Sequence, residues 1–165
     1  MIFATVGTAP FQFNRFIALF DDLYQIDPSL DVVIQTGTSS NKHKGLFKCV
    51  EFLDHSDYLE LIDSSDLIIA HCGIGVTIDA EKFSKKLILV PRDPGLGEHT
   101  DKHQFELAKA FYDYGRANVL YPEHDVEYLL KLINSKPLTP KSMPNNFLNK
   151  EHLLLSLEKY LGDMY

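Results

Sequence analysis

Short, nearly unbroken apolar runs recur along this chain, and most are followed by a stretch whose apolar residues fall at helical spacing. Ile2 to Val6, Asp31 to Gln35, Asp66 to Ala70, Lys86 to Val90 and Ala117 to Leu120 read as strands, and Lys48 to Leu53 as a further one. A strand with one wet face alternates polar and apolar residues; runs that hardly alternate must be covered on both sides. The helices are read over Phe13 to Tyr24, Asp57 to Ser64, Val76 to Ser84, Asp101 to Tyr114 and Val126 to Asn134. In the first of them Phe13, Phe16, Ile17, Phe20 and Leu23 share one side. Strands alternating with helices in this way predict an α/β fold, a doubly wound parallel sheet.

The length, 165 residues, suits one compact domain, and 45% hydrophobic residues can fill its core. Residues 1–135 form the Rossmann-like domain in this reading. Residues 136–146, with Pro137, Pro140 and Pro144, read as a linker. Residues 147–165 carry a C-terminal helix over Glu151 to Leu161, which packs on the domain or grips another chain. A formal net charge of -7 argues against a nucleic-acid partner, because phosphates call for a basic face. Cys49 and Cys72 make no disulfide framework, which fits a reducing cytosol. The first residues lack the basic segment of a signal peptide. Apolar runs such as Leu67 to Ala70 fall far short of the roughly 20 residues that cross a bilayer.

In a doubly wound sheet, ligands sit beyond the C-terminal strand ends. Three loops qualify: Gly7-Thr8, His71 to Gly75, and Arg92 to Gln104. In the second, a strand ends at His71, glycines follow at Gly73 and Gly75, and a helix opens. Glycines admit a ligand close to the backbone, and a helix start offers unpaired N–H groups and partial positive charge, which suits a diphosphate. The pattern is neither a Walker sequence nor Gly-x-Gly-x-x-Gly; a plain strand-to-helix turn is the alternative. Asp79, one turn on, either complements the helix dipole or accepts hydrogen bonds from a ribose diol. The third loop sets Glu98, His99, Thr100, Asp101, Lys102, His103 and Gln104 in a row. Metal binding by His99, Asp101 and His103, acid–base work by a histidine, and sugar recognition around Gln104 compete there with a solvated helix start capped by Thr100 or Asp101.

The ordered set Val6-Gly7-Thr8, Phe13-Asn14-Arg15, Gln35-Thr36-Gly37, His71-Cys72-Gly73-Ile74-Gly75, Val90-Pro91-Arg92, Gly97-Glu98-His99 and His103-Gln104 resembles the PssE/EpsE-like glycosyltransferases. Those are similar to the C-terminal half of MurG, to the small catalytic subunit of the dolichol-linked N-acetylglucosamine transferase, and so to the glycosyltransferase family 28 C-terminal domain. The resemblance runs from Met1 to about Leu120. It implies one half of a GT-B glycosyltransferase that moves a hexose, galactose or N-acetylglucosamine, from a UDP-sugar without cofactor or metal. It places the diphosphate on Gly73, Ile74, Gly75 and Val76, faced by Gly7 and Thr8, the ribose on Asp79, and the donor sugar near His103 and Gln104. His71 and Glu98 complete the substrate-binding set, and His99 and His103 are the candidate catalytic groups. The family commonly has Glu at position 79, Ser or Thr at 76 and Gly at 72.

The chain has length for one GT-B half. The resemblance therefore implies a partner, a PssD/EpsF-like membrane-anchored subunit that presents a lipid-linked saccharide acceptor in exopolysaccharide or capsule synthesis. The chain would then be cytoplasmic and peripheral to the inner membrane face. A non-catalytic, regulatory nucleotide-binding subunit of the same complex is the alternative.

Overall fold

The computed structural model describes residues 1–40 and 47–141. Its strands are β1 (Ile2–Thr5), β2 (Val32–Gln35), β3 (Lys48–Val50), β4 (Leu67–His71), β5 (Lys86–Val90) and β6 (Asn118–Val119). Its helices are α1 (Asn14–Ile26), α2 (His55–Ser64), α3 (Ile74–Lys82), α4 (His103–Asp113) and α5 (Val126–Asn134), with a single 3₁₀ turn at Pro94–Leu96. The strands form one sheet in the order β3-β2-β1-β4-β5-β6, and every pairing is parallel. The chain winds outward from β1 to β3, then crosses back to β4 and winds the other way. The reversal leaves a crevice between the C-terminal ends of β1 and β4, where such sheets take ligands.

Both faces of the sheet are covered. Ala4, Ile34, Ile69, Ile88 and Val90 pack with Phe16, Ile17, Phe20 and Leu23 of α1 and Leu129 of α5. Phe3, Ile68, Ala70 and Leu89 pack with Ile62 of α2, Val76 and Ala80 of α3, and Phe111 of α4. Each large apolar side chain buried in this way stabilises the fold by about 1.5–3 kcal/mol. β3 is the exception: it lies at the edge of the sheet with Lys48 and Cys49 exposed. It stops at Val50, before Glu51 and Phe52, which are both exposed.

Helix starts follow their caps. Asp54 accepts from the amide of Asp57 at 2.9 Å, so α2 begins at His55, two residues before the expected start. Asp125 accepts from the amide of Tyr128 at 2.9 Å and opens α5. Asp101 accepts from the amide of His103 at 2.9 Å, which folds 101–103 into a turn and delays α4. The difference that matters is α3, which begins at Ile74 rather than Val76, with Gly73 as its N-cap. Gly75 therefore sits in the first helical turn, where its N–H needs no helical partner.

Residues 138–141 run back along the end of α4. The Lys141 amide donates to the Tyr114 carbonyl at 2.9 Å. Gly115, at φ +65, lies against the Thr139 carbonyl. The remainder of the expected linker and the C-terminal helix of 147–165 fall outside the described residues. Among the described residues, no helix is long and apolar enough to cross a membrane.

Candidate functional site

Three features meet at the crevice between β1 and β4: the turn after β1, the turn after β4 and the loop after β5. β4 ends at His71, and the Gly73 amide donates back to the His71 carbonyl at 2.9 Å. α3 starts there without a side-chain cap. The amides of Ile74, Gly75 and Val76 lie ahead of the first intrahelical bond, in which Thr77 donates to the Gly73 carbonyl. Gly75 is exposed, and Gly73 and Ile74 are half-buried, so this turn lies open at the sheet edge. A β-carbon on Gly75 would meet nothing within 4 Å.

Gly7 and Gly73 are glycines for a packing reason. A β-carbon on Gly7 would lie 2.4 Å from Cε1 and 2.7 Å from Nε2 of His71; one on Gly73 would lie 2.4 Å from that Nε2. The Cε1–Nε2 edge of the imidazole thus fills the space between the two glycines, and Gly7 turns with φ +76. Nδ1, bonded to the same Cε1 and 3.0 Å from the Gly7 β-carbon position, is buried and has no hydrogen-bond partner. Burial first, then the charge of Arg92, pushes the His71 pKa down to about 4, against an opposing effect of the Thr5 backbone. The ring is therefore neutral at physiological pH.

Arg92 is fully buried and reaches from the end of β5 over the end of β4. Its guanidinium donates to the carbonyls of Val6 (2.9 Å), Phe11 (2.9 Å), Gln12 (3.2 Å) and Glu98 (3.2 Å). It lies 4.5 Å from the centroid of the Phe13 ring. Burial, the largest effect, lowers its pKa to about 10. Glu98 is buried as well, and its carboxylate takes Arg15 at 3.1 and 2.9 Å and the Asp93 amide at 2.9 Å. In this structure the side chain of Glu98 therefore fixes the loop after β5. Sequence reasoning gave Arg92 and Arg15 no site role of their own, because their partners are mostly backbone carbonyls and leave no spacing to read.

Gln104 is buried at the start of α4. Its Oε1 accepts from the amides of Cys72 (3.2 Å) and Arg92 (3.0 Å), joining the ends of β4 and β5. With the oxygen fixed, the amide nitrogen is the end left to donate. His99 accepts at Nδ1 from the Asp101 amide at 3.3 Å, and its ring lies 5.5 Å from that of Phe11. The same Nδ1 also lies 3.3 Å from Oδ1 of Asp101. His103 is exposed, with Nδ1 3.4 Å from Glu106. Among the described residues no group of His, Cys, Asp and Glu could hold a metal ion, so His99, Asp101 and His103 do not converge.

Thr8 is exposed beside Gly7, and Val76 is buried. The Thr77 hydroxyl is turned back to the Ile74 carbonyl at 2.7 Å. Asp79 is half-buried on α3, against the phenol of Tyr58 on α2. Burial first, then the charge of Asp79, pushes the Tyr58 pKa up. Tyr58 was not singled out from the sequence, although the helix expected over Asp57 to Ser64 contains it. A cavity of about 290 Å³ opens at the other edge of the sheet, beside Lys86, Gly115, Arg116 and Pro137.

The model of the glycosyltransferase family 28 C-terminal domain matches residues 1–157. The UDP-N-acetylglucosamine transferase subunit ALG13 of Debaryomyces hansenii is 37% identical over 70 residues, which is 42% of this chain and 32% of that protein. The match thus spans about a third of that relative. The solution structure of ALG13 superposes with a TM-score of 0.55 at 20% identity, covering 86% of this chain and 89% of that one. The glycosyltransferase SnogD of Streptomyces nogalater superposes with a TM-score of 0.57 at 18% identity, covering 81% of this chain and 34% of that one. At these identities the structural likeness is one of fold.

Proposed function

The chain belongs to the glycosyltransferase family 28 C-terminal domain family, and from that premise we propose that it is the donor-binding, catalytic subunit of a two-chain glycosyltransferase. It moves a hexose, galactose or N-acetylglucosamine, from a UDP-sugar to a polyprenyl-diphosphate-linked saccharide in exopolysaccharide or capsule synthesis. The observation that carries this reading is the open turn at Gly73–Val76, with its uncapped helix start at the point where the sheet reverses.

In this reading the amides of Ile74, Gly75 and Val76 receive the diphosphate, and the helix start stabilises the charge left on UDP as the sugar departs. Asp79, steadied by Tyr58, accepts from the ribose hydroxyls. The Gln104 nitrogen donates to a sugar hydroxyl, and Nε2 of His99 faces another. His103 is this chain's candidate for taking the acceptor's proton. The acceptor is presented by a membrane-anchored, PssD/EpsF-like partner, which holds this chain at the inner membrane face. The name of the Debaryomyces relative, a transferase subunit, supports the two-chain arrangement.

Calorimetry with UDP and UDP-sugars tests the binding half. Asp79→Ala is expected to weaken UDP by about tenfold or more, the value of one lost charged hydrogen bond; unchanged affinity removes the ribose role. Gln104→Glu keeps an oxygen for the two amides and loses the donor, so UDP binds as before while the gain from the sugar disappears. A radiolabelled sugar-transfer assay with the co-expressed partner tests catalysis. Transfer that survives Gly75→Ala favours the regulatory role instead.

A further inference from the structure

We propose that Arg15 is a positioning residue for the donor sugar: through Glu98 it holds the loop after β5 and sets His99 in place, without itself touching the donor. This rests on the reading that the crevice binds a nucleotide sugar with His99 at the sugar end.

The first support is the loop itself. The Asp93 carbonyl accepts from the amides of Leu96 at 3.0 Å and Glu98 at 3.1 Å, and the Asp93 amide donates to Glu98 Oε2 at 2.9 Å. Residues 93–98 therefore close on themselves, with Gly95, Leu96 and Gly97 exposed. A loop closed in this way is placed by what grips it from outside, and Arg92 and Arg15 both grip it. Arg92 donates to the Glu98 carbonyl at 3.2 Å. Arg15, from the first turn of α1, brings Nε at 3.1 Å and Nη2 at 2.9 Å to the two carboxylate oxygens of Glu98, and Nη2 also reaches the Pro91 carbonyl at 2.9 Å. The pair is largely screened from water, with 20% of the Arg15 side chain and 7% of the Glu98 side chain exposed. A planar fork on a carboxylate fixes orientation as well as distance. His99 is the next residue of the chain.

The second support is that the anchor is itself fixed. The Phe13 amide donates to the Ser39 hydroxyl at 3.1 Å, and Asn14 exchanges hydrogen bonds with Ser40 at 3.0 Å, so the loop after β2 holds the start of α1. The Phe13 ring centroid lies 5.1 Å from the guanidinium carbon of Arg15 and 4.5 Å from that of Arg92. The run Phe13-Asn14-Arg15, which the diphosphate and ribose contacts leave unused, thus ties the loop after β2 to the loop after β5. The third support is the far side of His99. Its ring lies 5.5 Å from that of Phe11, in the connection that leads into α1, so the same segment borders His99 directly and holds its neighbour Glu98. Nη1 of Arg15 makes no hydrogen bond among the described residues. An Arg15 that spent it on the diphosphate would alter the affinity for UDP itself, which separates a ligand from a positioning residue.

The test compares UDP, which lacks the sugar, with UDP-N-acetylglucosamine and UDP-galactose by calorimetry of the full chain. Arg15→Lys keeps the charge and loses the fork. UDP should bind this variant as it binds the unaltered chain. The UDP-sugar that the unaltered chain takes should bind about fivefold more weakly, the worth of one neutral hydrogen bond. In a His99→Ala background the same substitution should change neither affinity, because the group through which it acts is gone. If Arg15→Lys does not fold, Arg15→Met combined with Glu98→Gln removes both charges together and carries the same expectations. An affinity for UDP that falls in step with that for the UDP-sugar makes Arg15 a nucleotide ligand or a prop of the whole site. Unchanged affinities, or a loss that persists in His99→Ala, break the path through Glu98. Each of these results overturns the proposal and leaves the donor site standing. No binding of either UDP-sugar by the unaltered chain overturns the donor reading itself, and this proposal with it.

Discussion

The two edges of the sheet are made from the same kinds of group and use them in opposite ways. At the edge where β5 and β6 begin, Lys86 donates to the carbonyls of Leu132, Ile133 and Ser135 and closes the end of α5. Arg116 meets Glu81 at 2.6 Å, and Lys141 donates to Tyr114 and Asp113. The cavity there has cations on its walls whose bonds run to the chain's own carbonyls and to Glu81, and the Nε of Arg116 is buried without a partner. At the edge where β1 and β4 end there is a crevice, with hydrogen-bonding capacity left over: the first amides of α3, the Gln104 nitrogen and the His71 ring. Empty volume marks where segments meet loosely. Unspent donors beside buried, fixed neighbours mark where a ligand belongs.

That contrast breaks most easily at its arginines. Arg92→Met strands four carbonyls around a buried position and should cost about 3–5 kcal/mol in urea unfolding. Arg116→Met, in a pair with each partner about a quarter exposed, should cost less than about 1 kcal/mol. Equal losses would mean that the two edges are built alike.

Acid sharpens the same contrast. His71 binds its proton at about pH 4 in the fold against an ordinary 6.5. Between those values the unfolded chain holds the extra proton, so stability rises with pH through that window and is lost as pH falls. The loss should approach about 3 kcal/mol by pH 4 and be absent in His71→Gln, as read from urea midpoints across the window.

The glycines divide next. Gly73→Ala drives a methyl into the His71 ring and should cost about 1–3 kcal/mol. Smallest of all, Gly75→Ala meets open space and should leave stability unchanged or raise it by about 0.5–1 kcal/mol, while weakening UDP. A stability gain without loss of nucleotide would show that the amide at 75 is not a contact.

The strands were largely legible because Phe3, Ile68, Ile69, Leu87 and Ile88 sit in runs that only a doubly covered sheet explains. Family resemblance led to the turn at Gly73–Val76, and its glycines drew attention to it independently. Its helix start was read two residues late, since glycine is a poor helix former and only the free first turn makes that harmless. The roles of Arg92 and Glu98 were not legible. Arg92 bonds to carbonyls, which every residue carries, and Glu98 finds its partner Arg15 from 83 positions away. Tyr58 was hidden for a related reason: its neighbour Asp79 lies on a different helix.

Arg92 has one more consequence. By fastening the end of β5 to the end of β1 above β4, it bolts together the two windings of the sheet at the seam where they would otherwise part. An opening of that kind keeps a constant gauge. It sorts its visitors by which substituents they present to the rim.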